Sequence, residues 1–280
     1  MKTGVITDCF KKPLREALDA AAALGLDGVQ MYATSGECSP AVLDRAARAA
    51  LRAEIAARGL TVSALCADMG GHGFEIAADN PDRVARTKEI IDLCVDLGAP
   101  VATTHIGVIP ADKNEERYEV MCRALTACGR YARERGVTMA IETGPETAPT
   151  LLAFLQDTDG GVGVNLDPAN FVMVTGQDPV AAVDLLGPYI VHTHAKDGRM
   201  LKKTDPKIIY DHFAEGGIEA LNVADYFLET PLGEGQVDFP AYLAALRRAG
   251  YDGYLTIERE TGADPAADIR RAAAFLRALL

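Results

Sequence analysis

With 280 residues, 49% hydrophobic and 24% charged, the chain is long enough to bury a large core and has the balance of a globular protein. Its net charge of −12 argues against the basic face that phosphate backbones require, so nucleic acid is not expected as a partner. No apolar run approaches the ~18 residues of a membrane helix, so no membrane association is expected either.

The N-terminal stretch MKTGVITDCFKKPLREAL lacks an apolar signal region and a cleavage site, which predicts a cytoplasmic protein. Cysteines at 9, 38, 66, 94, 122 and 128 form no CxxC pair and are expected as reduced, mostly buried thiols.

Turn signals and periodicity predict strands and helices in alternation. The strand KTGVIT precedes a helix from Pro13 to Gly25, and DGVQMYA follows as the second strand. A long Ala/Arg/Glu helix from about Pro40 ends at Gly59, with proline in the first turn and glycine past the last. LTVSALCAD leads to a helix from Pro81 to Gly98, and PVATTHIG to one from Lys113 to Gly136. VTMAIET is the fifth strand, with a short helix from Pro149. VGVNLD is the sixth, with a helix over Pro179 to Leu186. After the seventh strand, YIVHTHAKD, residues 197–236 read as an irregular segment. It is too long for a passive connection and is expected over the active-site mouth. A helix around Phe239 to Ala249, the eighth strand YLTIER and a helix from Pro265 complete the order.

Eight strands, each followed by a helix, predict an α/β fold: a single (β/α)8 TIM barrel over residues 1–280, with no second domain. The rival, a doubly wound open sheet, would carry a glycine-rich phosphate turn after the first strand, and VITDCFKK has none.

In a barrel one strand face packs on helices and the other points inward. Thr138, Ala140 and Glu142 alternate with bulky Val137, Met139 and Ile141; Gly163, Asn165 and Asp167 alternate with Val162, Val164 and Leu166. In the seventh strand His192, His194 and Lys196 take the inward face, and Val191, Thr193 and Ala195 the other. Tyr254, Thr256 and Glu258 alternate with Leu255 and Ile257. Four successive strands therefore present Glu142, Asp167, His194 and Glu258 at their C-terminal ends.

Singly, each of these has a bland reading; Asp167, before Pro168, could simply start a turn. Gathered in one ring, three carboxylates repel strongly at low dielectric, and a divalent cation removes that repulsion. Three carboxylates and an imidazole suit Mn²⁺, Mg²⁺, Co²⁺ or Zn²⁺, with positions left for substrate oxygens. His192 sits a residue pair deeper, as a supporting donor or a packed histidine. Lys196, just above, can neutralise a substrate oxyanion or pair with Asp197 on the rim.

The segments AIET, VNLDPAN, VHTHAKD and GYLTIERE, which carry these four residues, resemble the xylose-isomerase-like barrel superfamily, the sugar phosphate isomerase/epimerase family. PLGEGQVDFPAYLAALRRAGYDG, ahead of the last strand, is similar to that family's approach to strand eight, and the likeness covers nearly the whole chain. Similarity to its ketose 3-epimerases implies that Glu142, Asp167, His194 and Glu258 bind a divalent metal, Mn²⁺ foremost. It also implies that Glu142 and Glu258 exchange the substrate proton. The chemistry is coherent: a metal on two vicinal oxygens of a keto-sugar acidifies the neighbouring carbon. Two carboxylates can then remove and return a proton through an enediolate, giving epimerisation, or isomerisation if the proton moves to the next carbon.

Three positions depart from the epimerase pattern. Asn170 stands where a histidine is usual, Met200, beside Arg199, where an arginine is usual, and Ala148, near Glu146, where a glutamate is usual. The candidates for contacting substrate are His105, His72, Asn170, His192, Lys196 and Arg199. The expected partner is a small sugar, and barrels of this kind often pair as homo-oligomers. The changed positions keep open a metal-dependent lyase or hydratase acting on 3-keto-glycosides, which shares the proton-abstraction step. Apurinic endonucleases share the barrel too. They need more histidines than the five present and a basic groove, which the −12 charge opposes. A non-enzymatic sugar-binding barrel would require the four clustered residues to be accidental.

Overall fold

The computed structural model describes residues 1–217 and 221–280. Eight parallel strands close into a barrel. In chain order they are β1 (Lys2–Ile6), β2 (Gly28–Tyr32), β3 (Thr61–Cys66), β4 (Val101–Thr104), β5 (Thr138–Glu142), β6 (Val162–Leu166), β7 (Ile190–Ala195) and, after an inserted hairpin, β10 (Tyr254–Ile257). Each strand pairs with its neighbours in the chain, and β10 pairs with both β7 and β1 to seal the cylinder.

The helices outside are α1 (Leu14–Ala23), α2 (Arg45–Ala57), α3 (Asn80–Leu97), α4 (Glu116–Arg133), α5 (Ala148–Asp157), the single turn α6 (Pro168–Asn170), α7 (Pro179–Leu186), α8 (Pro206–Ala214), α9 (Phe239–Arg248) and α10 (Pro265–Leu279). Local chemistry explains several starts. Asp178, Asp205, Asp238 and Asp264 each accept a backbone N–H from the first turn of the helix they precede, with proline at its opening positions. α2 begins later than expected from Pro40. The carboxylate of Asp44 receives the Ala47 N–H at 2.8 Å and so sets the start at Arg45. All six cysteines are unpaired, five of them buried. Among the described residues no helix is long and apolar enough to cross a membrane.

The apolar core lies between the outer faces of the strands and the helices. The barrel interior is small at its floor and polar at its top. Strict alternation fails twice: the β2–β3 register jumps from Val29↔Val62 to Gln30↔Ala64, and the β6–β7 register from Val164↔Ile190 to Asn165↔His192. The second shift turns Val191, expected on the helix-facing side, towards the interior group Ala64, Val101 and Ala140.

The described residues of the segment 197–236 are also more regular than expected. It contains an antiparallel hairpin of β8 (Asp197–Met200) and β9 (Phe227–Thr230), with α8 between them. Asp197 is buried and does not pair with Lys196. Its carboxylate accepts backbone N–H groups from Gly198 (2.8 Å), Gly233 (3.0 Å), Gly235 (2.9 Å) and Val237 (3.1 Å). A side chain at Gly235 would run into that carboxylate. Removing it leaves these donors without a partner, so Asp197→Ala is expected to lower stability by about 2–4 kcal/mol. Urea denaturation checks this: the midpoint should fall, with an unchanged slope.

Candidate metal centre and active site

The top of the barrel gathers Glu142, the last residue of β5; Asp167, just after β6; His194 of β7; and Glu258, just after β10. One oxygen or ring nitrogen from each lies within 4.8 Å of the others, and every one of these side chains is buried. His194 Nδ1 is 2.8 Å from Glu258 Oε2, 3.3 Å from Glu142 Oε1 and 3.7 Å from Asp167 Oδ2.

Asp167 serves two purposes. Its Oδ1 accepts the N–H groups of Ala169 (2.7 Å) and Asn170 (3.1 Å), which is the turn-starting role, while its Oδ2 faces the centre. Thr143 braces it from the side, accepting the Asp167 N–H and donating its hydroxyl to the Asp167 carbonyl.

Three of the converging atoms, Asp167 Oδ2, His194 Nδ1 and Glu258 Oε2, are buried and make no hydrogen bond. Leaving such atoms unsatisfied costs more than most folds tolerate, unless something else binds them. A divalent cation fits the place. The donor set is three carboxylates and one imidazole, and the unsatisfied atoms are the ones that point at a common centre.

Beneath the centre a hydrogen-bonded layer orients the imidazole. Gln30 of β2 donates through Nε2 to Thr103 Oγ1 at 3.0 Å and turns its Oε1 to His194 Nε2 at 3.1 Å. Gln30 Oε1 can accept a proton from Nε2, which also lies 3.1 Å from Asn165 Nδ2; with Nε2 protonated and the Nδ1 proton shed, the Nδ1 lone pair would face the carboxylates and a bound ion. Asn165 donates to Glu142 Oε2 (3.3 Å), and its Oδ1 accepts His192 Nδ1–H (3.0 Å). His192 Nε2 accepts the Thr256 hydroxyl (3.1 Å). Burial, reinforced by the charge of His194, pushes the His192 pKa down to about 3, so this ring is neutral. Burial would also lower His194, but the charges of Glu142 and Glu258 outweigh it and hold the imidazole well above its usual value.

A cavity of about 610 Å³ opens above the centre. Of the residues expected to contact substrate, His105, His72, Asn170 and Lys196 line it. Lys196 Nζ is buried, 2.8 Å from Glu260 Oε2, 3.3 Å from Glu258 Oε1 and 4.0 Å from Asp167 Oδ2. Burial opposes its charge, yet Glu258, Glu260 and Asp167 keep the ammonium well above its ordinary pKa. His105 Nε2 is 3.5 Å from Glu142 Oε1, and its ring meets Tyr210 edge-on at 5.8 Å. Burial lowers His105, but Glu142 and Asp68 raise it by more. Asn170 spends its amide N–H on the Thr143 carbonyl at 3.0 Å. His72 Nε2 reaches Glu215 Oε1 at 2.7 Å across the mouth, joining the glycine-rich loop to the end of α8.

Two of the residues expected to contact substrate do not line the cavity. His192 lies under His194 and is absent from the cavity wall, because its place in β7 is one residue pair deeper. Arg199 is exposed and donates to the Glu234 carbonyl, because the β8–β9 pairing turns it away from the cavity.

Other wall residues went unpredicted. Gln30 and Tyr32 follow the same inward parity in β2 that marked the later strands. Tyr210 comes from α8 and carries no such signal. Its hydroxyl lies where a side chain at residue 144 would sit, so Gly144 makes room for it. Nearby, burial pushes the Glu146 carboxyl up to about 7, and its Oε1 has no hydrogen-bond partner.

This fold has known counterparts. Among curated proteins, the rhizopine catabolism protein MocC of Rhizobium meliloti is 30% identical over 151 residues, 52% of this chain and 43% of that protein. An inosose dehydratase of Lacticaseibacillus casei is 26% identical over 156 residues, 54% of this chain and 49% of that protein. The chain thus spans about half the length of the curated relatives it matches. Among solved structures, a xylose isomerase domain protein from Planctomyces limnophilus superposes with a TM-score of 0.74 at 29% identity, covering 94% of this chain and 90% of that one. A D-psicose 3-epimerase determined in the presence of D-fructose gives 0.73 at 18% identity, covering 100% of this chain and 99% of that one, a likeness of fold alone. Residues 18–279 match the family described as xylose isomerase-like TIM barrel, and with its closed eight-stranded barrel the chain belongs to that family.

Proposed function

We propose that this chain is a divalent-metal-dependent sugar isomerase or epimerase that moves a proton next to the carbonyl of a small keto-sugar or keto-polyol. The carrying observation is the flanking of His194 Nδ1 by two glutamates, Glu142 at 3.3 Å and Glu258 at 2.8 Å, both on the wall of one cavity.

Glu142, Asp167, His194 and Glu258 would hold the ion, with Mn²⁺ our first choice and Mg²⁺, Co²⁺ or Zn²⁺ the others. Once bound, it would polarise the carbonyl and acidify the adjacent C–H. Glu142 and Glu258 then act as the remover and returner of the proton, their roles exchanging with direction. Lys196 keeps a positive charge beside Glu258, able to offset negative charge growing on a substrate oxygen. His105, beside Glu142, can hold a hydroxyl or pass it a proton.

A second reading, metal-dependent loss of a group beta to the carbonyl, begins with the same proton removal by a glutamate. The inosose dehydratases among the relatives detected by sequence support it through their name alone.

Incubating the Mn²⁺-loaded protein in D₂O with a ketohexose, and separately with an inosose, tests both. Deuterium entering next to the carbonyl of an otherwise intact product is the expected result. An enone absorbance with loss of water would select the lyase reading. No label and no elimination from either compound would refute the proton-transfer proposal.

A further inference from the structure

We infer that the natural substrate carries an apolar, ring-sized substituent beyond its sugar or polyol part, an inference that rests on the proposed sugar chemistry at the cavity floor. The cavity is divided in character. Its floor holds the charged centre, while its outer wall, among the described residues, is formed by Ile209, Phe213, Val223, Ala224, Phe227 and Leu228.

The two acidic groups on that wall are already paired. Asp211 is bound to Lys207 Nζ at 2.6 Å, and Glu229 to Arg259 Nη1 at 2.7 Å. They have little left to offer a hydroxylated ligand. The apolar side chains are not satisfied. Phe213 is 58% exposed and Leu228 51%, although both border the cavity. Exposed apolar surface concentrated at the mouth of a site is the mark of a binding face rather than of scattered surface residues.

The facing rim is rich in glycine, and its acidic side chains are engaged: Asp68 accepts the Gly70 N–H, and Glu75 accepts the Val108 N–H and pairs with Arg117. Gly70, Gly71 and Gly73 take positive φ. A side chain at Gly73 would collide with the backbone of Ile106, and one at Gly107 with Glu75 and the His72 carbonyl. The one basic group there, His72, is engaged by Glu215. A slot with an apolar wall from α8 and β9 on one side, and glycines with already engaged polar groups on the other, thus sits directly above the charged floor. Its size agrees. Cavities of about 300–1,000 Å³ bury drug-sized ligands, and 610 Å³ is generous for the twelve heavy atoms of a free hexose.

Calorimetric titration of the Mn²⁺-loaded protein with phenyl β-D-glucopyranoside and with methyl β-D-glucopyranoside tests this. The phenyl compound should bind at least about tenfold more tightly, the equivalent of burying roughly 60 Å² of apolar surface. Phe213→Ser and Leu228→Asn replace half-exposed side chains and should fold normally, as circular dichroism would verify. Each should bring the two affinities closer together. Equal affinities, a preference unchanged in both variants, or no binding of the phenyl glucoside at millimolar concentration would overturn the inference. The ratio is read from binding alone, so it stands apart from the D₂O result: an enzyme that moved protons but bound both glucosides equally would sink only this inference.

Discussion

Glu142→Gln and Glu258→Gln should each cut conversion of the substrate by about 10³-fold or more with the metal saturating, because each removes one of the two groups that carry the proton. The two variants should fail differently. With one carboxylate left, the enzyme can still take and return the proton on a single face. Each variant should therefore keep some exchange of the substrate's own hydrogen with D₂O from one epimer, and lose it from the other. Both should lose interconversion.

Proton NMR of the recovered sugar separates the two behaviours. Near-wild-type conversion by both variants would remove the two-carboxylate mechanism. The surroundings make unequal losses expected, since Glu258 shares its charge with Lys196 at 3.3 Å and Glu142 faces His105 at 3.5 Å.

The second large effect concerns the ion. Protein stripped with a chelator should regain thermal stability on addition of Mn²⁺. At a free concentration 100 times the dissociation constant, binding to the folded state alone contributes about 2.7 kcal/mol. For a chain of this size that is a rise in melting temperature of about 5 °C. The donors must shed protons to bind, so the rise should shrink as pH falls from 8 to 6. His194→Ala removes the only imidazole of the cluster and should abolish the shift. An unchanged melting temperature with Mn²⁺, or an undiminished shift in His194→Ala, would remove the metal from the proposal. Differential scanning fluorimetry is sufficient for the measurement. The orphaned Asp167 Oδ2, His194 Nδ1 and Glu258 Oε2 are what make the effect large, because the ion would satisfy three buried polar atoms together.

Much of this site could be read from residue order because strands impose a short period. Side chains two apart share a face, so Glu142, Asp167, His194 and Glu258 had to point inward once β5, β6, β7 and β10 were recognised. The same rule, applied to β2, would have found Gln30, which orients His194. It misplaced Val191, where a bulge adds a residue that the alternation does not count.

The segment 197–236 was the least legible. Its conformation depends on Asp197 collecting four backbone N–H groups, three of them from residues 233–237, and on a hairpin whose strands are far apart in the chain. Tyr210 reaches the cavity only because that segment folds over it, and Arg199 leaves the cavity for the same reason.

By itself, then, the order of residues determined the barrel and the inward set of acids and imidazole, since both follow from local periodicity and capping. The tertiary structure decided which inward atoms converge, which of them lack partners, how Lys196 is held, and that the outer half of the cavity is apolar. Those are properties of side chains brought together across the closed sheet and its lid, by contacts between residues as distant as Gln30 and His194 that no local pattern encodes.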